Sequence, residues 1–459
     1  MNGPVSATLR KVCVIGAGTM GAGIAAQVAN AGVPVLLLDI VRDEADRNAV
    51  ARAALDRLGK AEPAAFMHKG AARLVEIGNI EDDLPRIADC DWVIEAIVER
   101  LDLKQALYAK IESLRGEATA VSSNTSTIPL SALVAGRGEA FRRHFLITHF
   151  FNPPRYMRLL EVVQGADTDP TLAARIADFA DRAMGKTIVA ARDTPGFIAN
   201  RVGTFWIQTA INAAFDQGLA IEDADAIAGR PMGVPKTGIF GLVDLVGLDL
   251  MPHLKVSLTA TLPPADPYHA IAIDHPLIDR LIAEGYTGRK GKGGFYRLNR
   301  EAGKRKEAID LASGTYRPVA KPVSIPPAAQ KDLRALIAAP GVVGRYAWAV
   351  LGPTLAYAAS LVGDGADHAA GDVLALDTAM RLGYNWKAGP FEMIDRIGAE
   401  TLAARLAADG RAVPDILRMA GNRPFYRVAD GRREYLSVDG AYHPIVRPEG
   451  VLLLEDIKA

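Results

Sequence analysis

Two ionisable residues in apolar surroundings carry the first chemical signal. FLITHFFNPPRYMRLLEVV, from Phe145, sets His149 and Glu161 in two apolar, strand-like segments joined by an Asn-Pro-Pro turn, so the pair can face each other across neighbouring strands. His149 alone reads more simply as a satisfied core histidine, because buried polar side chains are normally just hydrogen-bonded. Glu161 changes that weighting. An ionised carboxylate between Leu160 and Val162 needs a partner, and an imidazole is a suitable one. Such a pair does acid-base work: the carboxylate fixes the ring's tautomer and stabilises the imidazolium when the other nitrogen takes a proton. Ser126, at the end of the SSNTS run, is placed to hydrogen-bond a reacting oxygen, although a Ser/Thr-rich turn opening a helix serves equally as a cap.

A second set of residues binds rather than reacts. Val12 to Asp39 reads VCVIGAGTMGAGIAAQVANAGVPVLLLD, in which Gly16, Ala17, Gly18, Thr19, Met20 and Gly21 make up G-x-G-x-x-G between an apolar strand and a helix. Gly16 permits the tight turn, Gly18 lets the backbone approach a pyrophosphate, and Gly21 allows the helix to pack closely on its strand. The free amides and positive end of that helix then face the phosphates. Asp39 closes the second strand, where a carboxylate accepts hydrogen bonds from the adenosine ribose and repels a 2′-phosphate. This favours NAD over NADP, with nearby Arg42 arguing the other way. Beside a nicotinamide, a His-Glu pair points to alcohol oxidation: the base removes the hydroxyl proton as hydride leaves the same carbon.

The elements that must position these residues follow from hydrophobic periodicity. Strand-like runs at 12–16, 35–38, 74–77, 92–97 and 118–122 alternate with helical patterns at 20–31, 43–59, 62–74 and 101–114. That alternation predicts an α/β Rossmann-type doubly wound parallel sheet, whose ligands bind beyond the carboxyl ends of the strands. Glu99, the SSNTS run, and His149 with Asn152 all fall at such ends. After a helix at 170–184, a strand at 187–190 and the motif DTPGFIANR, the pattern becomes all-helical. Asn200, in the first turn of a long helix at 197–219, is near enough to the boundary to reach back to the cleft.

An internal repeat organises the rest. DAIAGRPMGVPKTGIFGLVDLVG and DTAMRLGYNWKAGPFEMIDRIG match at Gly238, Phe240, Asp244 and Gly247 against Gly389, Phe391, Asp395 and Gly398. The expected organisation is an NAD-binding domain at 1–192, a helical domain at 193–300, a linker at 301–330, a duplicate helical domain at 331–424 and a tail at 425–459 that alternates in short β-like runs. The linker, polar and proline-bearing, is expected to hold no core. GRKGKGGFY, from Gly288, either wraps a phosphate or makes a mobile turn.

Bulk properties exclude several classes. The 459 residues carry no formal net charge, so composition suggests neither a nucleic-acid footprint nor an anionic membrane partner. The two cysteines, Cys13 and Cys90, suit buried thiols in a reducing compartment, and too little material exists for a metal cluster. MNGPVSATLRK lacks a secretory h-region, and the apolar stretch Val342 to Val362 is broken by Arg345 and Pro353, so no membrane span is expected and a cytoplasmic location is.

Taken together, GAGTMGAGIA, EAIVERLDLK, SNTS, HFFNP followed by LLEVV, DTPGFIANR and GxGGFY resemble the L-3-hydroxyacyl-CoA dehydrogenase family over nearly the whole chain. The helical duplicate with GYNWKAGPFEMID resembles the form found in bacterial multifunctional fatty-acid oxidation proteins. The resemblance implies NAD-dependent interconversion of L-3-hydroxyacyl-CoA and 3-oxoacyl-CoA in β-oxidation, with an acyl-CoA substrate. His149 would be the base, Glu161 its orienting partner, and Ser126 and Asn200 ligands of the reacting oxygen; Glu99, Lys104, Asn152 and Lys290 would lie along the NAD path. It also implies association with a hydratase-containing system, and either a homodimer or a pseudo-dimeric monomer. Where family members carry Ser and Lys as a CoA contact, this chain has Leu55 and Glu62, with Lys60 and Lys69 nearby. Two alternatives remain: a dehydrogenase of free hydroxy acids, as in the gulonate-oxidising relatives, and a non-catalytic NAD-binding structural protein.

Overall fold

A computed structural model describes residues 9–300, 303–447, 450–451 and 453–454. Most of the N-terminal segment expected to lack a signal, and the end of the tail, lie outside them. The chain forms two compact units that divide between Phe197 and Ile198.

The first unit is built on an eight-stranded sheet in the order β3-β2-β1-β4-β5-β6-β7-β8. Its strands are β1 (Val12–Ile15), β2 (Val35–Asp39), β3 (Val75–Asn79), β4 (Trp92–Glu95), β5 (Ala120–Ser123), β6 (Phe145–Phe150), β7 (Leu159–Gln164) and β8 (Thr187–Ala191). Parallel neighbours on both sides demand residues that tolerate burial on both faces, which is why VCVI of β1 is buried throughout. The sheet departs from parallel once, between β6 and β7. The short 151–158 connection cannot make the crossover a parallel pair needs, so the chain turns back on itself. β7 and β8 are again parallel, joined through the helix α4 (Pro170–Arg182), which follows α1 (Thr19–Asn30), α2 (Ala49–Gly59) and α3 (Leu101–Leu114).

Two helical expectations are corrected. The helix at 43–59 begins only at Ala49, because the carboxylates of Asp43 and Asp46 take the amides of Ala45 and Asn48 in local turns. The helix at 62–74 reduces to a 3₁₀ segment, Lys69–Leu74. The backbone before it bonds elsewhere: Asn30 takes Met67 N and donates to Ala65 O, while Arg155 donates to the carbonyls of Ala64 and Phe66. Pro63 adds no amide to a helical ladder.

The second unit shows the duplication. The long helix α5 (Ala199–Asp216) packs against its counterpart α6 (Gly341–Ser360). Two carboxylates tie each copy, all buried except the half-buried Asp395. Asp225 accepts from the amides of Ile239, Phe240 and Gly241 and from the Tyr296 hydroxyl; Asp377 accepts from the amides of Phe391 and Glu392. Asp244 accepts from Phe295 N and Tyr296 N at 2.7 and 2.8 Å, and Asp395 from Phe425 N and Tyr426 N at 2.6 and 2.8 Å.

Those second bonds correct the reading of the linker and agree with the β-like runs of the tail. The region expected to be coreless contains β10 (Arg305–Ile309) and β11 (Tyr316–Pro318), which join β9 (Tyr296–Asn299) in an antiparallel sheet with Ala308 and Ile309 fully buried. The tail repeats the device with β12 (Tyr426–Ala429), β13 (Arg432–Leu436) and β14 (Tyr442–Pro444). The duplicated segment is therefore helices plus a meander, anchored at Asp244 and Asp395. Among the described residues no helix is long and apolar enough to cross a membrane. The α6 candidate, with Pro353 inside it, is buried within this unit along most of its length.

Candidate active site

The glycine turn after β1 has the geometry a dinucleotide requires. Gly16 has φ +106°, and a Cβ there would lie 2.5 Å from Ala96 O. At Gly21 a Cβ would lie 1.8 Å from Gly16 O, so only hydrogen lets α1 pack on its own turn. Gly18 differs: a Cβ would meet nothing within 4 Å, and Gly18 and Thr19 are exposed, leaving the first turn of α1 open to a ligand. Asp39 reaches the same turn, accepting from Ala17 N at 2.5 Å and from Ile40 N at 2.7 Å. Open helix amides, with a carboxylate at the rim and no obstructing Cβ, fit a pyrophosphate and its ribose.

Farther along the same edge of the sheet, His149 and Glu161 are direct register partners on β6 and β7. His149 Nδ1 lies 2.7 Å from Glu161 Oε2. Glu161 is fully buried and His149 is 5 % exposed. An ionised carboxylate only accepts, so Nδ1 carries the proton and Nε2 is left as the basic nitrogen. The rings of Phe151 and Phe197 flank the imidazole, with centroids 4.6 and 5.5 Å away, and restrict its rotation.

The turn after β5 is organised by Glu99. Its Oε1 accepts from the Thr125 hydroxyl at 2.6 Å and from the amides of Ser126 and Thr127 at 2.9 and 3.2 Å. Burial opposes ionisation of Glu99, but the Lys104 ammonium and the Thr125 and Ser126 donors outweigh it and hold its carboxyl below the usual range. Ser126 is half-buried. Asn124 Oδ1 accepts from Phe150 N at 2.9 Å, tying this turn to the His149 strand.

The other expected residues fall as follows. Lys104 is 1 % exposed, with Nζ held by Glu95 at 2.6 Å and Glu99 at 3.2 Å, so its ammonium is enclosed by carboxylates rather than open to a ligand. Asn152 is exposed on the loop between β6 and β7. Asn200 lies in the first turn of α5 and Lys290 in the Gly288–Gly293 turn; both belong to the second unit. Lys290 pairs there with Asp249 at 2.8 Å, and Gly288 N donates to Gly293 O at 2.7 Å, so GRKGKGG is a closed turn. Among the described residues no group of three or more His, Cys, Asp or Glu could hold a metal ion.

Comparison with known proteins decides the family. Residues 11–194 match the NAD binding domain of 3-hydroxyacyl-CoA dehydrogenase and residues 196–298 match its C-terminal domain. A Bacillus subtilis protein named as a 3-hydroxyacyl-CoA dehydrogenase is 35 % identical over 94 % of this chain and 57 % of its own length. This chain belongs to the 3-hydroxyacyl-CoA dehydrogenase family. A protein of Rickettsia felis named as a fatty acid oxidation complex trifunctional enzyme is 42 % identical over 84 % of the chain and 53 % of its own length. The chain thus spans about half the length of these relatives. The crystal structure of 3-hydroxybutyryl-CoA dehydrogenase from Escherichia coli matches 90 % of this chain and 98 % of its own with TM-score 0.66; at 23 % identity that shows the fold.

Within this 3-hydroxyacyl-CoA dehydrogenase framework, several supporting residues escaped sequence reasoning. Glu95 is fully buried and accepts from Lys104, from Tyr108 Oη at 2.5 Å and from Ser123 Oγ at 2.7 Å. Its signal was available: an acid ending the apolar run WVIE must find a cation or donors. Arg57 Nη2 approaches Ala17 O at 3.4 Å, bringing a guanidinium beside the glycine turn from α2, with no local pattern to announce it. Phe197 takes φ +49°, rare for a bulky residue, and this sets its ring against His149.

Proposed function

We propose that the chain is an NAD-dependent L-3-hydroxyacyl-CoA dehydrogenase, interconverting (S)-3-hydroxyacyl-CoA and 3-oxoacyl-CoA in fatty-acid β-oxidation. The observation that carries the chemistry is the cross-strand His149–Glu161 pair, 2.7 Å apart on the sheet that also carries the glycine turn. NAD, bound at that turn, supplies the hydride acceptor. His149 Nε2 takes the proton of the 3-hydroxyl, and Glu161 keeps Nδ1–H in place and balances the imidazolium. Ser126, and Asn200 from the second unit, are assigned to the reacting oxygen; Glu99 sets the Ser126 turn, with Asn152 and Lys290 assigned to the cofactor path. The acyl-CoA class is supported by the family membership.

The test is turnover of acetoacetyl-CoA with NADH against free hydroxy acids with NAD. Preference for the thioester is expected; turnover of free acids alone would replace this reading with the gulonate-like one. His149→Ala should lower kcat by about 10²-fold or more while NADH still binds. Unchanged turnover would remove His149 from the mechanism, and lost NADH binding would reassign it. Association with a hydratase is supported by the trifunctional naming of the Rickettsia relative. A cytoplasmic location is supported by Cys13 and Cys90, both buried and unpaired. The packing of α5 on α6 within one unit supports a pseudo-dimeric monomer over a homodimer.

A further inference from the structure

Lys186, just before β8, is 2 % exposed, and among the described residues no acidic side chain pairs with it. Its Nζ donates to Met157 O at 2.8 Å and to Pro154 O, and stands 5.6 Å from the centre of the Phe150 ring. Burial drops the ammonium to about 8. A buried cation satisfied only by carbonyls and a ring face is an unusual arrangement, because desolvation favours either a carboxylate partner or an apolar replacement. What it grips explains it. Pro153 and Pro154 deprive the 151–158 loop of two backbone donors, and the amides of Tyr156 and Met157 are both taken by Pro153 O. The carbonyls of Pro154 and Met157 turn inward, and Lys186 supplies the protons that the loop lacks.

That loop joins the His149 strand to the Glu161 strand and carries Asn152. It is held at two further points. Pro154 sits on α1 at Gly23, where an added Cβ would come within 2.9 Å of Pro154 Cδ. Arg155 Nη1 donates to Ala64 O and Phe66 O at 2.6 and 2.8 Å, and Tyr156 Oη to Ala64 O at 2.9 Å. The loop is thus pinned between the cofactor helix and β8. We infer that Lys186 is a positioning residue: by clamping the carbonyls of Pro154 and Met157 it fixes the 151–158 loop on α1 and sets Asn152 for the nicotinamide end of the cofactor. The inference rests on the functional reading above, and it names no new group at the reacting atoms.

Three variants and two readouts test it. Lys186→Met keeps the side-chain length without donors, Lys186→Arg restores donors, and Gly23→Ala pushes on Pro154 from the opposite side without touching the amine. NADH affinity is measured directly by fluorescence titration, and KM and kcat by acetoacetyl-CoA reduction. Lys186→Met should weaken NADH binding by about tenfold and lower kcat, with KM for acetoacetyl-CoA within about twofold, since a loop displaced by a fraction of an ångström misplaces one partner of the transfer. Lys186→Arg should recover most of the NADH affinity, and Gly23→Ala should show the same split as Lys186→Met. If folded Lys186→Met binds NADH as the unsubstituted protein does, Lys186 is structural only and the inference fails. If Lys186→Met does not fold, Gly23→Ala decides, and unaltered NADH affinity there overturns the inference. Failure of the functional reading looks different: the unsubstituted protein would bind NADH yet leave acetoacetyl-CoA unreduced, while the NADH titrations would still report on Lys186.

Discussion

At the residue scale, the proposed chemistry depends on which proton the His149–Glu161 contact holds. The 2.7 Å bond from Nδ1 to a fully buried carboxylate leaves only Nε2 to act as base. Glu161→Gln retains the volume but removes the charge, and its amide can donate to Nδ1, which shifts the ring proton to Nε2 and blocks the base. We expect kcat to fall by about 10²-fold or more, with NADH affinity within about twofold. A variant retaining near-normal kcat would show that orientation by the flanking rings of Phe151 and Phe197 is enough. Gly21 offers a second residue-scale outcome. A methyl group 1.8 Å from Gly16 O forces α1 off its turn, so Gly21→Ala should destabilise the protein by about 1–3 kcal/mol and weaken NADH binding, read by thermal melts and fluorescence titration.

At the scale of elements, each helix-meander copy hangs on carboxylates taken out of water. Burial pushes Asp225 up to about 7 and Asp244 and Asp395 up to about 6, and it carries Asp377 well above its ordinary range. A carboxyl raised in the folded state and near 4 in the unfolded chain keeps a proton that the unfolded chain has released. Its contribution is therefore complete below about pH 4 and is lost as the pH climbs through the folded value. The denaturant midpoint of the second unit should accordingly decrease as the pH rises from about 4 to about 7. Asp225→Asn, a neutral isostere, should flatten part of that slope, and an unchanged slope would show that Asp225 stays ionised under its four donors.

At the scale of the whole molecule, the two copies of the duplicated segment pack on each other within one chain. Tyr346 Oη donates to Ala210 O at 3.1 Å, Arg201 Nε to Tyr357 Oη at 2.6 Å, and Phe205 stacks on Tyr357 with centroids 4.0 Å apart. The copies also approach closely at Gly203, where a Cβ would lie 2.0 Å from Tyr384 Cζ. Light scattering should give the mass of a single chain, and a dimer would show that α5 and α6 leave another self-complementary surface in use. Gly203→Ala should lower the melting temperature of the second unit by several degrees through overpacking, with NADH affinity unchanged.

The glycine turn, the strand-helix alternation and the presence of a His-Glu pair were all legible from local order, because turn chemistry, period and an acid in an apolar run are properties of a few consecutive residues. The repeat was legible for the same reason at Gly238, Phe240, Asp244 and Gly247. The meander β9–β11 was not, and neither was the tying of the tail's β-like runs into β12–β14, since both sheets are completed by Asp244 and Asp395, some 50 and 30 residues upstream of the amides they hold. Nor were the Glu95–Lys104–Glu99 chain, the guanidinium of Arg57 at the glycine turn, or the Lys186 clamp on Pro154 and Met157. By itself the sequence determined that a His-Glu pair and a dinucleotide cradle are present and that β1 begins their sheet. Tertiary structure alone decided that His149 and Glu161 share one register position, and which buried charges hold the loops around them, because charge burial is resolved only when distant strands close on one another.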